Sequence, residues 1–183
     1  PRLVEEALDV TQGKLALGFR TGGGCIWEES YPALLLLNAV YGGTTTSKLF
    51  LNVREKLSLC YYASSQLEKF KGLMLVSSGV EFVNFKAARD EILAQLDQCR
   101  SGKIEDWELE GARRSVVSAL RSTLDSQTRL EDYWLGQAVA GLAEGPEELA
   151  RRVEQVTREQ VVEAARALEL DTIYFLKGKE ENA

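Results

Sequence analysis

Apolar and polar residues alternate with a period of two over residues 14–20. Leu15, Leu17 and Phe19 fall on one side, and Lys14, Ala16, Gly18 and Arg20 on the other. That is the pattern of a half-buried strand. An apolar-rich stretch at residues 4–10 predicts a strand before it, with Gln12-Gly13 as the turn. The period then changes. Leu34, Leu37, Asn38 and Tyr41 recur at helical spacing within an apolar run that surrounds most of the circumference, predicting a buried helix over residues 31–41 ended by Gly42-Gly43. Thr44-Thr45-Thr46-Ser47 offers N-cap oxygens to a helix over 48–56, with Leu49, Val53 and Leu57 as its buried stripe. Strands over 61–68 and 73–82 follow, joined by a hairpin-length connection at 69–72.

Three longer helical patterns come next. Residues 85–100 turn Phe85, Ala88, Ile92, Leu96 and Cys99 inward, with Gly102 as the stop. Residues 105–124 turn in Leu109, Ala112, Val116, Leu120 and Leu124, and residues 128–142 form the third. Gly145-Pro146 opens another helix, because Pro suits the first helical position. Thr157-x-x-Gln160 is a capping box for a last one to about residue 168, and a strand over 172–176 ends the pattern. Early strands, late helices and one closing strand predict the α+β class: a two-layer, largely antiparallel sheet with helices packed on one face.

No linker or repeat divides the 183 residues, so residues 1–183 are read as a single α+β domain. A chain of this size buries about 70% of its unfolded surface and needs no staple. Because Pro1-Arg2-Leu3 stands where an initiator Met would, it is expected to be a C-terminal fragment of a longer chain. The longest strongly apolar stretch, residues 33–37, is far too short to cross a bilayer, so no membrane partner is expected. The formal net charge of −6 repels phosphates, which argues against nucleic acid and anionic surfaces. Cys25, Cys60 and Cys99 are odd in number and form no C-x-x-C pair, so they are read as buried reduced thiols of a cytoplasmic protein.

Candidate chemistry is narrowed most by histidine, of which there is none. That excludes a His-ligated zinc, a Ser-His-Asp triad and a Cys-His dyad on this chain. Gly22-Gly23-Gly24 lacks the spacing of a phosphate loop. Glu105, Asp106, Glu108 and Glu110, and later Glu144, Glu147 and Glu148, read as solvated helix starts favoured by the helix dipole rather than metal sites. Two residues remain. Arg54 falls in a last helical turn, where the dipole alone favours a cation, and Tyr61 opens a strand, where a core ring with a wet hydroxyl is common.

Residues 47–61 nevertheless carry a longer pattern. Ser47, Leu49, Phe50, Val53, Arg54, Glu55, Leu59, Cys60 and Tyr61 fit S-x-L-[FW]-x-x-[LV]-R-E-x-x-[GS]-L-[AC]-Y, with Gly42-Gly43 just upstream. This resembles the Arg/Tyr signature in the second, non-zinc domain of the M16 peptidase family, the pitrilysin, insulinase-like and processing-peptidase group. Ser58 stands where that pattern more often has Gly, and Tyr62 beside Tyr61 is a competing tyrosine, although spacing from Arg54 favours Tyr61. The resemblance implies a half-domain whose Arg54 and Tyr61 bind a substrate peptide backbone and help stabilise its oxyanion across a chamber. The cofactor it implies is zinc, held by an H-x-x-E-H motif on a partner domain or subunit, with none on this chain. The form is most similar to bacterial two-subunit members. Implied partners are a peptide substrate and a zinc-bearing M16 domain or subunit, with a dimer of this chain as a further option. Alone, the chain is expected to hydrolyse nothing. Two alternatives stand beside this reading: an inactive scaffold subunit of the same fold, and an unrelated interaction domain in which Arg54 and Tyr61 are structural.

Overall fold

The computed structural model describes residues 1–179. Strands β1 (Arg2–Leu8), β2 (Gly13–Arg20), β3 (Cys60–Glu68), β4 (Leu73–Val80) and β5 (Glu169–Gly178) form one sheet in the order β1-β5-β2-β4-β3. All neighbours are antiparallel except β1 and β5, which run parallel. The α-helices are α1 (Tyr31–Asn38), α2 (Phe85–Arg100), α3 (Asp106–Arg121), α4 (Gln127–Ala140), α5 (Pro146–Gln155) and α6 (Arg158–Ala167). Among the described residues no helix is long and apolar enough to cross a membrane.

The alternation in β2 fixes which face is buried. Leu15, Leu17 and Phe19 are sealed, and the register sets Val76 and Met74 beside Leu17 and Phe19 on β4, and Phe175 and Ile173 beside Leu15 and Leu17 on β5. Helices α1, α2 and α6 pack over this face, and α3 and α5 pack behind α1. The opposite face carries Lys14, Tyr62 and Leu75. The arrangement is the two-layer, helices-on-one-face class that the pattern predicts.

Several elements differ from expectation. The first strand begins at Arg2 and lies exposed at the sheet edge, because apolar content does not specify a parallel pairing with the far end of the chain. Helix α1 stops at Asn38 and continues as a π-helical turn, Ala39–Gly43, and the next helix, Leu49–Lys56, is π-helical. Gly42 therefore does not stop a helix. It lets the turn press against β3: a Cβ there would meet Ser65 N at 2.7 Å and Leu49 Cδ1 at 2.8 Å. Gly42→Ala is expected to lower stability by about 1–3 kcal/mol through overpacking, read as a lower melting temperature. Thr44 Oγ1 donates back to Ala39 O (3.1 Å), and only Ser47 caps forward, accepting from Phe50 N–H (3.4 Å).

Leu57 and Leu124 are exposed rather than core, because each falls just past its helix, Leu124 in a tight 3-10 turn, Ser122–Asp125. Only Cys99 of the three thiols is buried; Cys25 and Cys60 are half-buried. Two acidic readings also change. Glu108 is buried, its carboxylate 2.9 and 3.0 Å from Lys48 Nζ, and Glu144 is half-buried against Arg152 at 2.9 Å. The caps at Pro146 and Thr157/Gln160 form as expected.

Candidate functional site

The π-helical segment Leu49–Lys56 carries Arg54 and is pinned on two sides. At its start, Lys48 reaches α3 through Glu108. On its flank, Asn52 Nδ2 donates to Gln95 Oε1 (2.8 Å), and Gln95 Nε2 donates to Glu91 Oε1 (2.6 Å), both on α2. A π-helical turn is an uncommon geometry that concentrates at functional sites. The Arg54 guanidinium lies over the Phe50 ring at 4.7 Å and 3.6 Å from Glu55 Oε1, with its side chain 41% exposed. Stacking fixes the plane of the group while leaving its N–H edge toward solvent.

A sharp reversal then joins this segment to β3. Ser58 takes a left-handed φ of 50°; its N–H donates to Arg54 O and that of Leu59 to Val53 O, both at 3.1 Å. A left-handed residue closes a helix in this way and favours glycine, which lacks the Cβ clash. Ser58→Gly is therefore expected to stabilise the protein by roughly 0.5–1 kcal/mol, since relief of about 1–2 kcal/mol of strain exceeds the added unfolded-state freedom. An upward shift in the denaturant midpoint is the check.

Tyr61 is the extra residue of a β-bulge: Cys60 pairs with Val80 and Tyr62 with Gly79, leaving Tyr61 between them. The bulge re-aims the side chain out of the regular alternation. Tyr61 is 56% exposed, and its hydroxyl donates to Glu81 Oε1 at 3.3 Å. Tyr62 instead lies on the open face of the sheet, its ring over Gly79 and 5.5 Å from Lys14 Nζ. Of the two tyrosines, Tyr61 is the one brought together with Arg54.

The two line one open hollow of ≈ 430 Å³ with Glu55, Ser58, Glu81 and Asn84. Cys60 also reaches it. Burial pushes the Cys60 thiol up, against opposing pulls from a Ser78 hydrogen bond and the Arg54 charge. The chemistry on offer is hydrogen bonding: Arg54 supplies up to five N–H donors, Tyr61 one O–H, and Glu55 and Glu81 only acceptors when ionised. A zinc ion does not fit here. The chain has no His, and among the described residues no group of three or more Cys, Asp or Glu is placed to hold a metal.

A larger hollow of ≈ 640 Å³ lies elsewhere, between the Gly22–Gly24 loop, α1 and α6. Its Arg152 is occupied, donating to Glu144 at 2.9 Å and to Glu29 O at 3.2 Å, so size alone does not make it the site. The sequence pattern misses Glu81. Counting back along the hairpin from Glu68↔Leu73 brings this carboxylate level with the start of β3, and that count was the available signal.

Comparison with known proteins places these features in a family. The family profile described as the peptidase M16 inactive domain matches residues 1–116. A Bacillus subtilis (strain 168) protein, "Probable inactive metalloprotease YmfF", is 38% identical over 180 residues, which is 98% of this chain and 42% of that one. The crystal structure of a conserved protein from Enterococcus faecalis V583 superposes with a TM-score of 0.91 at 34% identity, covering 100% of this chain and 43% of that one. A protease from Helicobacter pylori shares the fold, with a TM-score of 0.87 at 21% identity, over 96% of this chain and 43% of that one. The chain thus spans about two fifths of the relatives that it matches. With a profile match over more than half its length, a relative at 38% identity and the non-zinc chemistry of its hollow, the chain belongs to the M16 peptidase family as an inactive, non-zinc domain.

Proposed function

We propose that this chain is the substrate-binding half of an M16-type zinc peptidase, with Arg54 and Tyr61 gripping the main chain of a peptide held against a zinc-bearing domain or subunit. The observation that carries this reading is the shared hollow, where two exposed donors from different elements face the same space. Peptide hydrolysis concentrates negative charge on the carbonyl oxygen, and preorganised donors aimed there lower the barrier. A guanidinium fixed by stacking on Phe50 and a phenol re-aimed by a bulge are both preorganised. The zinc-bearing group that this reading requires is expected on another domain or on a second subunit, since these residues supply no histidine. Cleavage of a fluorogenic peptide by the full assembly, with and without Tyr61→Phe, tests the reading. Unchanged turnover overturns it.

The description of the B. subtilis relative as a probable inactive metalloprotease supports a second reading, a structural partner without a role in cleavage. The same comparison decides between them, since a scaffold tolerates loss of one exposed hydroxyl.

A further inference from the structure

The Arg54 and Tyr61 hollow has donors for the carbonyl groups of a peptide, yet a peptide also brings N–H groups that need acceptors. We propose that Glu81 is the acceptor: its carboxylate takes a backbone N–H of the bound peptide, beside the carbonyl that Tyr61 takes. This deepens the peptide-binding reading above and rests on it.

The geometry supplies the argument. Glu81 directly follows β4, and β4 is paired with the start of β3, so the carboxylate is carried to the hollow by the same sheet that carries Tyr61. Its backbone is held where it leads into the short turn Phe82–Asn84, with Asn84 N–H donating to Glu81 O at 2.9 Å. Its side chain is exposed and bonded to the Tyr61 hydroxyl at 3.3 Å, a long contact for an O–H donor and a carboxylate. A phenol has a single proton. It cannot donate to Glu81 and to a substrate carbonyl together. When a peptide enters, the Tyr61–Glu81 bond opens, Tyr61 donates to the carbonyl, and a Glu81 carboxyl oxygen is left with a free lone pair. A peptide group presents the matching donor. One intramolecular bond is exchanged for two intermolecular ones, and no covalent step is involved. Glu55, paired with Arg54 on the other wall, is turned toward the guanidinium and is not needed for this exchange.

The experiment uses the full assembly with a fluorogenic nonapeptide and with copies of it N-methylated at single positions around the scissile bond. Glu81→Ala should raise KM about tenfold with kcat nearly unchanged, as loss of a ground-state hydrogen bond to a charged group does. One N-methyl position should cost about tenfold with the native protein and little with Glu81→Ala, because both changes remove the same bond. Glu81→Gln, which keeps a carbonyl acceptor, should restore most of the affinity. Glu81 is exposed, so the melting temperature should not move. If Tyr61→Phe impairs cleavage but Glu81→Ala does not, or if every N-methyl penalty is the same in both proteins, Glu81 is not the acceptor and the peptide-binding reading stands. If neither change has an effect, both readings fall.

Discussion

Glu108→Ala is expected to remove about 3–5 kcal/mol of folding stability, measured as a fall in the denaturant midpoint at unchanged slope. The side chains of Lys48 and Glu108 are only 4% and 7% exposed, and the ammonium meets both carboxylate oxygens. Removing the carboxylate leaves a positive charge in the core with no counter-charge, and it also removes the acceptor of the Glu105 N–H, bonded at 2.8 Å at the start of α3. Against a total stability of about 5–15 kcal/mol, that is a large share. Lys48→Met combined with Glu108→Leu should recover most of the loss, since an apolar pair of similar volume needs no desolvation of charge. A loss below about 1 kcal/mol for the single change would show that water reaches the pair.

Tyr61→Phe in the full assembly is expected to lower kcat by about 10²–10³-fold, the loss of one preorganised donor to a developing oxyanion, roughly 2.7–4 kcal/mol. Substrate affinity should change far less, because the bond to the carbonyl strengthens only as charge grows. The ring and the bulge stay in place, so stability should not follow. Tyr62→Phe is the matched control: its ring lies on the open face beside Lys14, and turnover should stay at the native level. Equal losses from both changes would mean that a general property of β3, and not the Tyr61 hydroxyl, is being read.

The elements were legible where a local rule decides them. The period of two in residues 14–20 identified the buried face of β2, and Pro146 and the Thr157/Gln160 box located two helix starts. What the pattern lacked was set at long range. The parallel pairing of β1 with β5 joins segments some 170 residues apart, Arg2 with Thr172, and the widened helix at Leu49–Lys56 is held by partners in α2 and α3. Glu108 departs from the solvated reading for the same reason: its partner, Lys48, is sixty residues away. At the site, Arg54 and Tyr61 were visible through a fifteen-residue resemblance, whereas Glu81 was hidden in hairpin register.

The position of β5 also governs how the molecule can be made. The last strand among the described residues, β5, is seated between β1 and β2, inside the sheet. A nascent polypeptide at about 5–20 residues per second therefore carries β1 without β5 beside it, and β2 with that side bare, for on the order of ten seconds. Closing so long a loop late is slow, and unpaired strand edges invite foreign strands in the meantime. A nick or truncation just before residue 169 would release β1 and expose the flank of β2 in one event, so the integrity of the sheet is guarded by residues 169–178.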